Sequence, residues 1–410
     1  MNVSSFIAKR IAFNRQKSFS RFIIRLATTA TAISVAAMIL TLAFVNGFQD
    51  AISQKIFSFW GHIRVQQYEA INNIQEDEVP LYSNKEVEEL IRKIPSVSIV
   101  QPYATKSAVI ENNKDIEGVM IKGVDDKYNF KNIQPFLKEG RWIAFNDPSY
   151  QKEIVISQQT AKALNLKLNQ EANFYFISNV QGRSSQRKLK VVGIYKTGIE
   201  EYDKIFAISD IRLIRRMSDW NEAQIGGYEV FLNEYKKMDS ANFALYGVLP
   251  DRWTSRTIQE VYPNIFDWLN VQDVNRNVIF IIMSIVAVIN LITCLLILVL
   301  ERTRMTGVLK ALGSTDWSIQ KIFLNHATFI ALRGVFIGVL IGVGIALLQK
   351  YTGFIKLDEA AYYVSEAPVS IAWWHVALIA ASAIAVCYLA LLLPTLLVKR
   401  VDPVKAIRFN

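Results

Sequence analysis

The sequence predicts an α-helical membrane protein with four transmembrane helices and a large α+β extracytoplasmic domain between the first and second spans. Three observations lead to this prediction. Four apolar runs are each long enough to cross a hydrocarbon core of about 30 Å, which takes about 20 helical residues. Basic residues gather beside these runs. One long segment of mixed polarity separates the first run from the other three.

The apolar runs define the spans and the domain boundaries. They occupy residues 26–45, 278–300, 330–348 and 371–398. The predicted organisation is an amphipathic N-terminal segment (1–22), a first transmembrane helix (23–46), an α+β domain with stalk helices (47–276), a second transmembrane helix (277–300), a cytoplasmic loop (301–321), a third transmembrane helix (322–349), an extracytoplasmic loop (350–370), a fourth transmembrane helix (371–398) and a cytoplasmic tail (399–410).

The distribution of charge predicts the orientation. The chain has a formal net charge of +10 at pH 7. Its basic residues are concentrated before the first span, between the second and third spans, and in the tail. Because cytoplasmic loops are rich in Lys and Arg, these three segments are predicted to be cytoplasmic and the domain 47–276 to lie outside. The basicity is therefore a topology signal, and no nucleic-acid partner is predicted.

The loop between the second and third spans contains a short helix of its own. Residues 301–316 read ERTRMTGVLKALGSTD. Four apolar residues at i, i+3, i+4 and i+7 predict one apolar helix face: Met305, Val308, Leu309 and Leu312. Gly313 is expected to end this helix, and residues 314–316 to cap the next. The spacing fits two interpretations, a handle on which an external protein pushes or an ordinary basic loop that sets topology.

The same stretch resembles a known family. Glu301-Arg302-Thr303-Arg304, followed by Gly307-Val308-Leu309-Lys310-Ala311-Leu312-Gly313, is similar to the loop of FtsX-like ABC-transporter permeases. In that superfamily the loop holds the coupling helix, which docks on a separate or fused ATPase. The resemblance implies ATPase-coupling roles for Glu301, Arg302, Arg304, Met305, Gly307, Val308, Leu309, Lys310, Leu312 and Gly313. The family's usual acidic–apolar pair is replaced here by Met305-Thr306.

Other segments resemble the LolC/LolE branch of this superfamily, the transmembrane proteins of the lipoprotein-releasing system. They are residues 19–23, 45–49, 56–63, 197–203, 264–269, 363–369 and 401–408. The resemblance implies a MacB-type periplasmic core domain and a bacterial inner-membrane permease that couples ATP hydrolysis by a partner to lipoprotein release. The implied partners are cytoplasmic ABC ATPase subunits, a second permease that is identical or paralogous, a lipoprotein substrate and a periplasmic LolA-like carrier.

The α+β region contains a predicted hairpin, with strands near 172–178 and 189–195. Its tip lies where LolC carries the loop that docks the carrier. The resemblance therefore implies carrier-docking roles for Gly182, Arg183, Gln186 and Arg187, although the tip here is shorter than in LolC and lacks a proline. A solvated basic turn is the alternative. Residues 253–270 predict a helix that is interrupted near Pro263 and leads back to the membrane.

The third span contains a stripe of small residues. Gly334, Gly338 and Gly342 recur at four-residue steps, which lets another helix approach closely. That helix could belong to this chain or to a partner permease, and packing within the chain is needed in either case. Arg333 lies beside the stripe and is expected to snorkel towards the cytoplasmic side.

The sequence lacks several common catalytic and nucleotide-binding motifs. It contains no GxxxxGK[ST] phosphate loop and no GxSxG or HExxH signature. Its two cysteines, Cys294 and Cys387, lie inside spans. No enzymatic activity, cofactor or metal is predicted, and the energy is expected to come from a partner ATPase. Two alternatives are an FtsX-like transmembrane regulator of periplasmic cell-wall hydrolases and a MacB-like efflux permease.

Overall fold

The computed structural model describes residues 19–68, 78–147, 149–177 and 184–395. Its helices are α1 (Phe19–Trp60), α2 (Lys85–Arg92), α3 (Gln158–Ala163), α4 (Glu200–Ile205), α5 (Ile211–Met217), α6 (Met238–Tyr246), α7 (Ile258–Val261), α8 (Pro263–Glu301), α9 (Thr303–Ala311), α10 (Asp316–Thr352), α11 (Glu359–Tyr362) and α12 (Trp373–Thr395). Its strands are β1 (Ile63–Gln67), β2 (Leu81–Tyr82), β3 (Val97–Asn112), β4 (Asp115–Val124), β5 (Leu137–Gly140), β6 (Glu153–Ser157), β7 (Glu171–Ile177), β8 (Ser184–Tyr195), β9 (Phe206–Asp210), β10 (Gln224–Ile225), β11 (Gly227–Leu232) and β12 (Trp253–Thr257).

The described residues form two compact units. A helical unit comprises residues 19–50, 267–357 and 366–395, and an α+β unit comprises residues 51–266 and 358–365. Helix α1 contributes to both units, because its residues up to Asp50 belong to the first and those from Ala51 to the second. Predicted features in residues 1–18 and in the tail 399–410 lie outside the described part of the chain.

Four helices of the described chain are long and apolar enough to cross a membrane. They are α1, α8, α10 and α12, and each contains one of the predicted apolar runs or most of it. Helix α1 has 42 residues and α8 has 39, which gives lengths of about 63 and 58 Å at about 1.5 Å per residue. A bilayer core takes up only about 30 Å, so both helices are far longer than a span needs. The predicted continuation of the first helix to about Phe59 is confirmed, since α1 ends at Trp60.

The glycine stripe of α10 packs against α1 inside the helical unit. An added Cβ atom would lie 2.8 Å from Thr31 Cβ at Gly334, 2.6 Å from the Ala32 carbonyl oxygen at Gly338, and 3.1 Å from Ala36 Cα at Gly342. A Cβ atom would collide at Gly334 and Gly338 and would be tight at Gly342, so the absence of Cβ atoms lets the two backbones approach. In this structure the stripe therefore packs against another helix of the same chain. Beside it, the exposed Arg333 places its guanidinium 4.3 Å from the centroid of the Phe329 ring, one turn nearer the start of α10.

The α+β unit is built on a ten-stranded sheet. Its strand order is β12-β1-β11-β3-β4-β9-β6-β8-β5, and β7 pairs with both β3 and β8. Strands β10 and β2 form a separate pair. Helix α1 leads into this sheet through Gly61, whose φ of +73° lies in the left-handed region that glycine tolerates best. The predicted break at Gly61 and the strand that follows it are therefore confirmed.

The prediction of a helix over residues 253–270 is wrong in its first part. Residues Trp253–Thr257 form β12, an edge strand paired with β1. Thr257 then caps α7 through a capping box with Glu260. Helix α8 begins at Pro263, where proline is tolerated because the first turn leaves its backbone nitrogens unbonded anyway. The proline thus starts a helix and does not interrupt one.

Candidate functional site

The predicted coupling stretch folds as a short helix between two long ones. Helix α9 follows α8 after a single residue, Arg302, which occupies the N-cap position of α9 without a side-chain capping bond. The Thr306 hydroxyl is fully buried and donates to the Arg302 carbonyl oxygen at 3.1 Å. The Thr303 hydroxyl donates to the Leu300 carbonyl oxygen at 2.7 Å. These bonds use carbonyl oxygens at the junction of the two helices and so fix where α9 begins.

The end of α9 is defined by glycine, as predicted. Gly313 has a φ of +86°, and its N–H donates to the Lys310 carbonyl oxygen at 2.9 Å. Thr315 is the N-cap of α10, since its hydroxyl accepts from the Ser318 N–H at 3.3 Å. The Lys310 ammonium lies 3.0 Å from the Asp316 carboxylate, which joins the last turn of α9 to the first turn of α10. The loop is therefore a defined turn with fixed ends.

The four apolar residues of α9 do not share one environment. Met305 and Leu309 are partly buried and pack against the hydrophobic core of the helical unit. Val308 is 43% exposed and Leu312 is 78% exposed. The predicted apolar face is therefore divided between two environments. Each pair is spaced i, i+4, so α9 presents one apolar row to its own protein and a second apolar row to the outside.

The helices that flank α9 also expose large apolar side chains close to it in sequence. Leu300, the next-to-last residue of α8, is 71% exposed, and Trp317, in the first turn of α10, is 56% exposed. We call Leu300, Val308, Leu312 and Trp317 the outer row. Sequence reasoning missed Trp317 because it stopped at Asp316, although a large aromatic residue beside a basic loop was a visible signal. The Lys321 ammonium lies 5.7 Å from the Trp317 ring centroid, so a cation borders this apolar surface.

The remaining predicted coupling residues surround these two rows. Glu301, Arg304 and Gly313 are exposed, Arg302 and Lys310 are half-buried, and Gly307 is buried. Gly307 thus supports packing, while the exposed charges border the outer row. The structure brings all ten predicted residues into one short segment.

The predicted carrier-docking residues divide between described and undescribed positions. The hairpin itself is confirmed, because β7 and β8 pair in antiparallel register up to Ile177 and Ser184. Gly182 and Arg183 lie outside the described residues. Gln186 and Arg187 were expected at the tip, but they belong to β8 and pair with Tyr175 and Phe174. Both residues therefore lie along a strand of the hairpin.

A buried charge cluster at the end of α1 was not predicted. Lys122 on β4 and Glu229 on β11 are 1% and 0% exposed, and their charged atoms lie 2.5 Å apart. The Lys122 ammonium also donates to the Phe59 carbonyl oxygen in the last turn of α1 and lies 4.6 Å from the Trp60 ring centroid. A cation at this position complements the negative end of the helix dipole. Burial lowers the pKa of Lys122 and raises the pKa of Glu229, and the contact between them opposes both shifts.

A second cation, Arg64, also contacts the last residue of α1. The Arg64 guanidinium lies 4.4 Å from the Trp60 ring centroid and donates to the Tyr103 hydroxyl at 2.7 Å. It also lies 3.3 Å from the Glu78 carboxylate. Trp60 is thus in contact with two paired cations, and the last turn of α1 is fixed on the sheet. In the described ranges, no group of three or more His, Cys, Asp or Glu residues could hold a metal ion.

Two family models match the chain. The MacB-like periplasmic core domain matches residues 26–245, and the FtsX-like permease C-terminal domain matches residues 277–403. The first match alone covers more than half of the 410 residues. The chain belongs to the FtsX-like permeases that carry a MacB-like periplasmic core domain. In this FtsX-like permease, the coupling stretch falls within the C-terminal match and nearly all strands of the sheet fall within the core-domain match.

Curated relatives of this FtsX-like permease confirm the resemblance to LolC and LolE. The lipoprotein-releasing system transmembrane protein LolE of Haemophilus influenzae is 22% identical over 99% of this chain and 99% of its own length. The corresponding LolC of Neisseria meningitidis is 23% identical over 97% of this chain and 96% of its own length. Permeases of this family are not themselves enzymes. The apolar helices and these relatives identify a multi-pass protein of the inner membrane.

Proposed function

We propose that this chain is a permease subunit of an ABC transporter that releases lipoproteins from the inner membrane towards the outer membrane, driven by ATP hydrolysis in a partner. The relatives named as lipoprotein-releasing proteins align over nearly the whole chain, which supports this assignment. The structural observation that carries the coupling role is the division of α9 into an inner row and an outer row.

The two rows give α9 the properties of a coupling helix. The outer row offers an ATPase exposed apolar side chains, with Lys321 beside Trp317 and the exposed Arg304 one turn before Val308, which suits a docking site whose rim is charged. The inner row, Met305 and Leu309, packs on the helical core, so a displacement of α9 displaces that core. Because packed cores resist continuous deformation, the motion passes into the long helices.

Helices α1 and α8 then carry the motion beyond the membrane. Both are continuous and about twice as long as a bilayer core is thick. The core domain is proposed to lie on the periplasmic side and both termini in the cytoplasm. A second permease subunit completes the complex, and the tip of the β7–β8 hairpin contacts a LolA-like carrier. The cargo is a lipid-anchored protein extracted from the outer leaflet of the inner membrane.

The experiment that tests this function changes the outer row alone. Leu312→Glu places a charge on an exposed position, so the chain should fold normally. We expect ATPase association and ATP-dependent lipoprotein release from proteoliposomes each to fall at least about tenfold, which corresponds to about 1.4 kcal/mol. The matched control is Ile116→Glu, which makes a similar change at an aliphatic residue that is 64% exposed on β4, far from α9 in sequence.

Two outcomes separate the parts of this proposal. If Leu312→Glu binds the ATPase and releases lipoprotein like the unmodified chain, α9 is not the coupling helix. If the unmodified complex hydrolyses ATP but releases no lipoprotein, the coupling role stands and the proposed cargo is wrong.

A further inference from the structure

Three segments that are distant in sequence meet in the α+β unit. They are Lys55 on α1, the turn 196–203, and the segment 358–365 that the chain joins to α10 and α12. Two of them overlap residues 197–203 and 363–369, which were distinguished in the sequence only by their resemblance to LolC/LolE and had no role of their own. The contacts that these segments make indicate a role for them.

The turn 196–203 is built around a buried carboxylate. Asp203 accepts from the Thr197 N–H at 2.9 Å, from the Thr197 hydroxyl at 2.8 Å and from the Gly198 N–H at 3.0 Å. Gly198 has a φ of +77°, and a side chain there would collide with the Glu359 carboxylate and lie 2.8 Å from the Lys55 ammonium. Glycine is therefore favoured at this position by its backbone conformation, and the two charged side chain ends lie directly against it.

The segment 358–365 binds to this turn through polar contacts at both ends of a short helix. At the start of α11, Glu359 forms an ion pair with Lys196. At its end, the Lys55 ammonium donates to the Tyr363 carbonyl oxygen at 2.7 Å. The Tyr363 hydroxyl donates to the Glu201 carboxylate at 3.0 Å. These contacts attach the segment both to the first helix and to the turn.

Tyr363 holds an unusual backbone conformation at the centre of these contacts. Its φ is +59°, in the left-handed region where glycine is favoured over residues with a Cβ atom. A tyrosine is strained there, and strained residues of this kind persist where surrounding contacts determine them. The hydroxyl contact with Glu201 gives a reason for a tyrosine in this position. A purely structural turn would be served better by glycine.

We infer that Lys55, Lys196, Glu201, Glu359 and Tyr363 form a clasp that keeps segment 358–365 attached to the first helix and the turn throughout the transport cycle. These five residues are positioning residues for lipoprotein release, and the inference rests on the proposed function. The clasp attaches segment 358–365, which the chain joins to α10 and α12, to the core domain and so gives the helical movement a further route besides α1 and α8. Its ion pair between Lys196 and Glu359 is partly exposed and so adds little to stability. We therefore expect this pair to act by positioning the segment.

One variant distinguishes this role from a structural one. Tyr363→Gly relieves the left-handed strain, so a purely structural turn would be unchanged or more stable. With the side-chain contact between Tyr363 and Glu201 removed, we expect lipoprotein release by the full complex in proteoliposomes to fall on the order of tenfold, a size typical of coupling between distant sites. The ATPase rate and complex assembly should be unchanged. Lys204→Glu, an exposed change on neighbouring α4, is the control. Full release by Tyr363→Gly would overturn the inference.

A covalent bridge tests whether the clasp stays closed. The double variant Lys196→Cys/Glu359→Cys removes the ion pair and should impair release similarly, and a short bifunctional thiol reagent should restore it. The two native cysteines are buried in helices, so the engineered thiols are the accessible pair. Bridging should proceed equally without nucleotide and in the vanadate-trapped state, a readout that needs no cargo and therefore remains valid if the proposed cargo is wrong. Failure of the bridge to restore release, or bridging in one nucleotide state only, would contradict the clasp.

Discussion

Lys122 and Glu229 show what residue-level reasoning on the sequence could not find. Lys122 stands in β4 among alternating residues, where a charged side chain is ordinarily read as pointing to solvent. It is buried because β4 lies in the middle of the sheet and because its partner, Glu229, arrives from a strand far along the chain. Only strand order and register bring the two charges together. The local features at Gly313 and Thr315 were predictable because capping depends on neighbouring residues alone.

The buried pair makes a definite prediction about stability. Lys122→Met leaves the Glu229 carboxylate buried without its cation, and we expect the free energy of unfolding to fall by about 3–5 kcal/mol. Lys122→Met/Glu229→Met replaces both charges with apolar side chains and should recover most of that loss. Thermal unfolding of the detergent-solubilised chain measures both variants. A single variant as stable as the double variant would mean that the two charges do not act as a pair.

At the scale of elements, helices and strands with a long sequence pattern of their own could be predicted, and short ones that depend on distant partners could not. The long apolar runs predicted α1, α8, α10 and α12 because about 20 consecutive apolar residues are typical of a transmembrane helix. The short strand β12 was mistaken for a helix, since WTSRT has little pattern and its strand state comes from pairing with β1. The spacing of α9 predicted an amphipathic helix, but it could not say that an i, i+4 pair faces inwards and the neighbouring pair outwards, because that depends on where the helix docks.

The contact between α10 and α1 predicts opposite effects for two glycines of one helix. Gly338→Ala would place a Cβ atom 2.6 Å from the Ala32 carbonyl oxygen and 2.8 Å from Val35 Cβ. Overpacking of this kind should destabilise the protein by about 1–3 kcal/mol. Gly344→Ala meets nothing within 4 Å and should be neutral or stabilising by up to about 1 kcal/mol through helix propensity. Thermal unfolding of both purified variants tests this, and equal effects would exclude close packing at Gly338.

At the scale of the whole molecule, the sequence predicted the order of the parts better than their internal arrangement. Charge and hydropathy predicted a large α+β segment between the first and second apolar runs, and in the structure the α+β unit comprises residues 51–266 together with one short segment, 358–365. The exception, 358–365, could not be foreseen, because its assignment to that unit depends on contacts with Lys55, Lys196 and Glu201. The strand order of the sheet could not be predicted from the sequence either, because it pairs strands that are distant in the chain.

The same charge distribution predicts which side of the membrane each part occupies. Lys and Arg residues gather before the first span, in the coupling loop and in the tail, so these segments should remain in the cytoplasm. We expect a membrane-impermeant maleimide, applied to cells with a permeabilised outer membrane, to label Lys114→Cys on the exposed β3–β4 turn. Ser318→Cys, exposed at the start of α10, should be labelled only after lysis. The buried Cys294 and Cys387 give the background, measured on the unmodified chain. Labelling of both engineered cysteines in unlysed cells would place the coupling loop and the core domain on one side, where an ATPase acting on α9 could not move anything across the membrane.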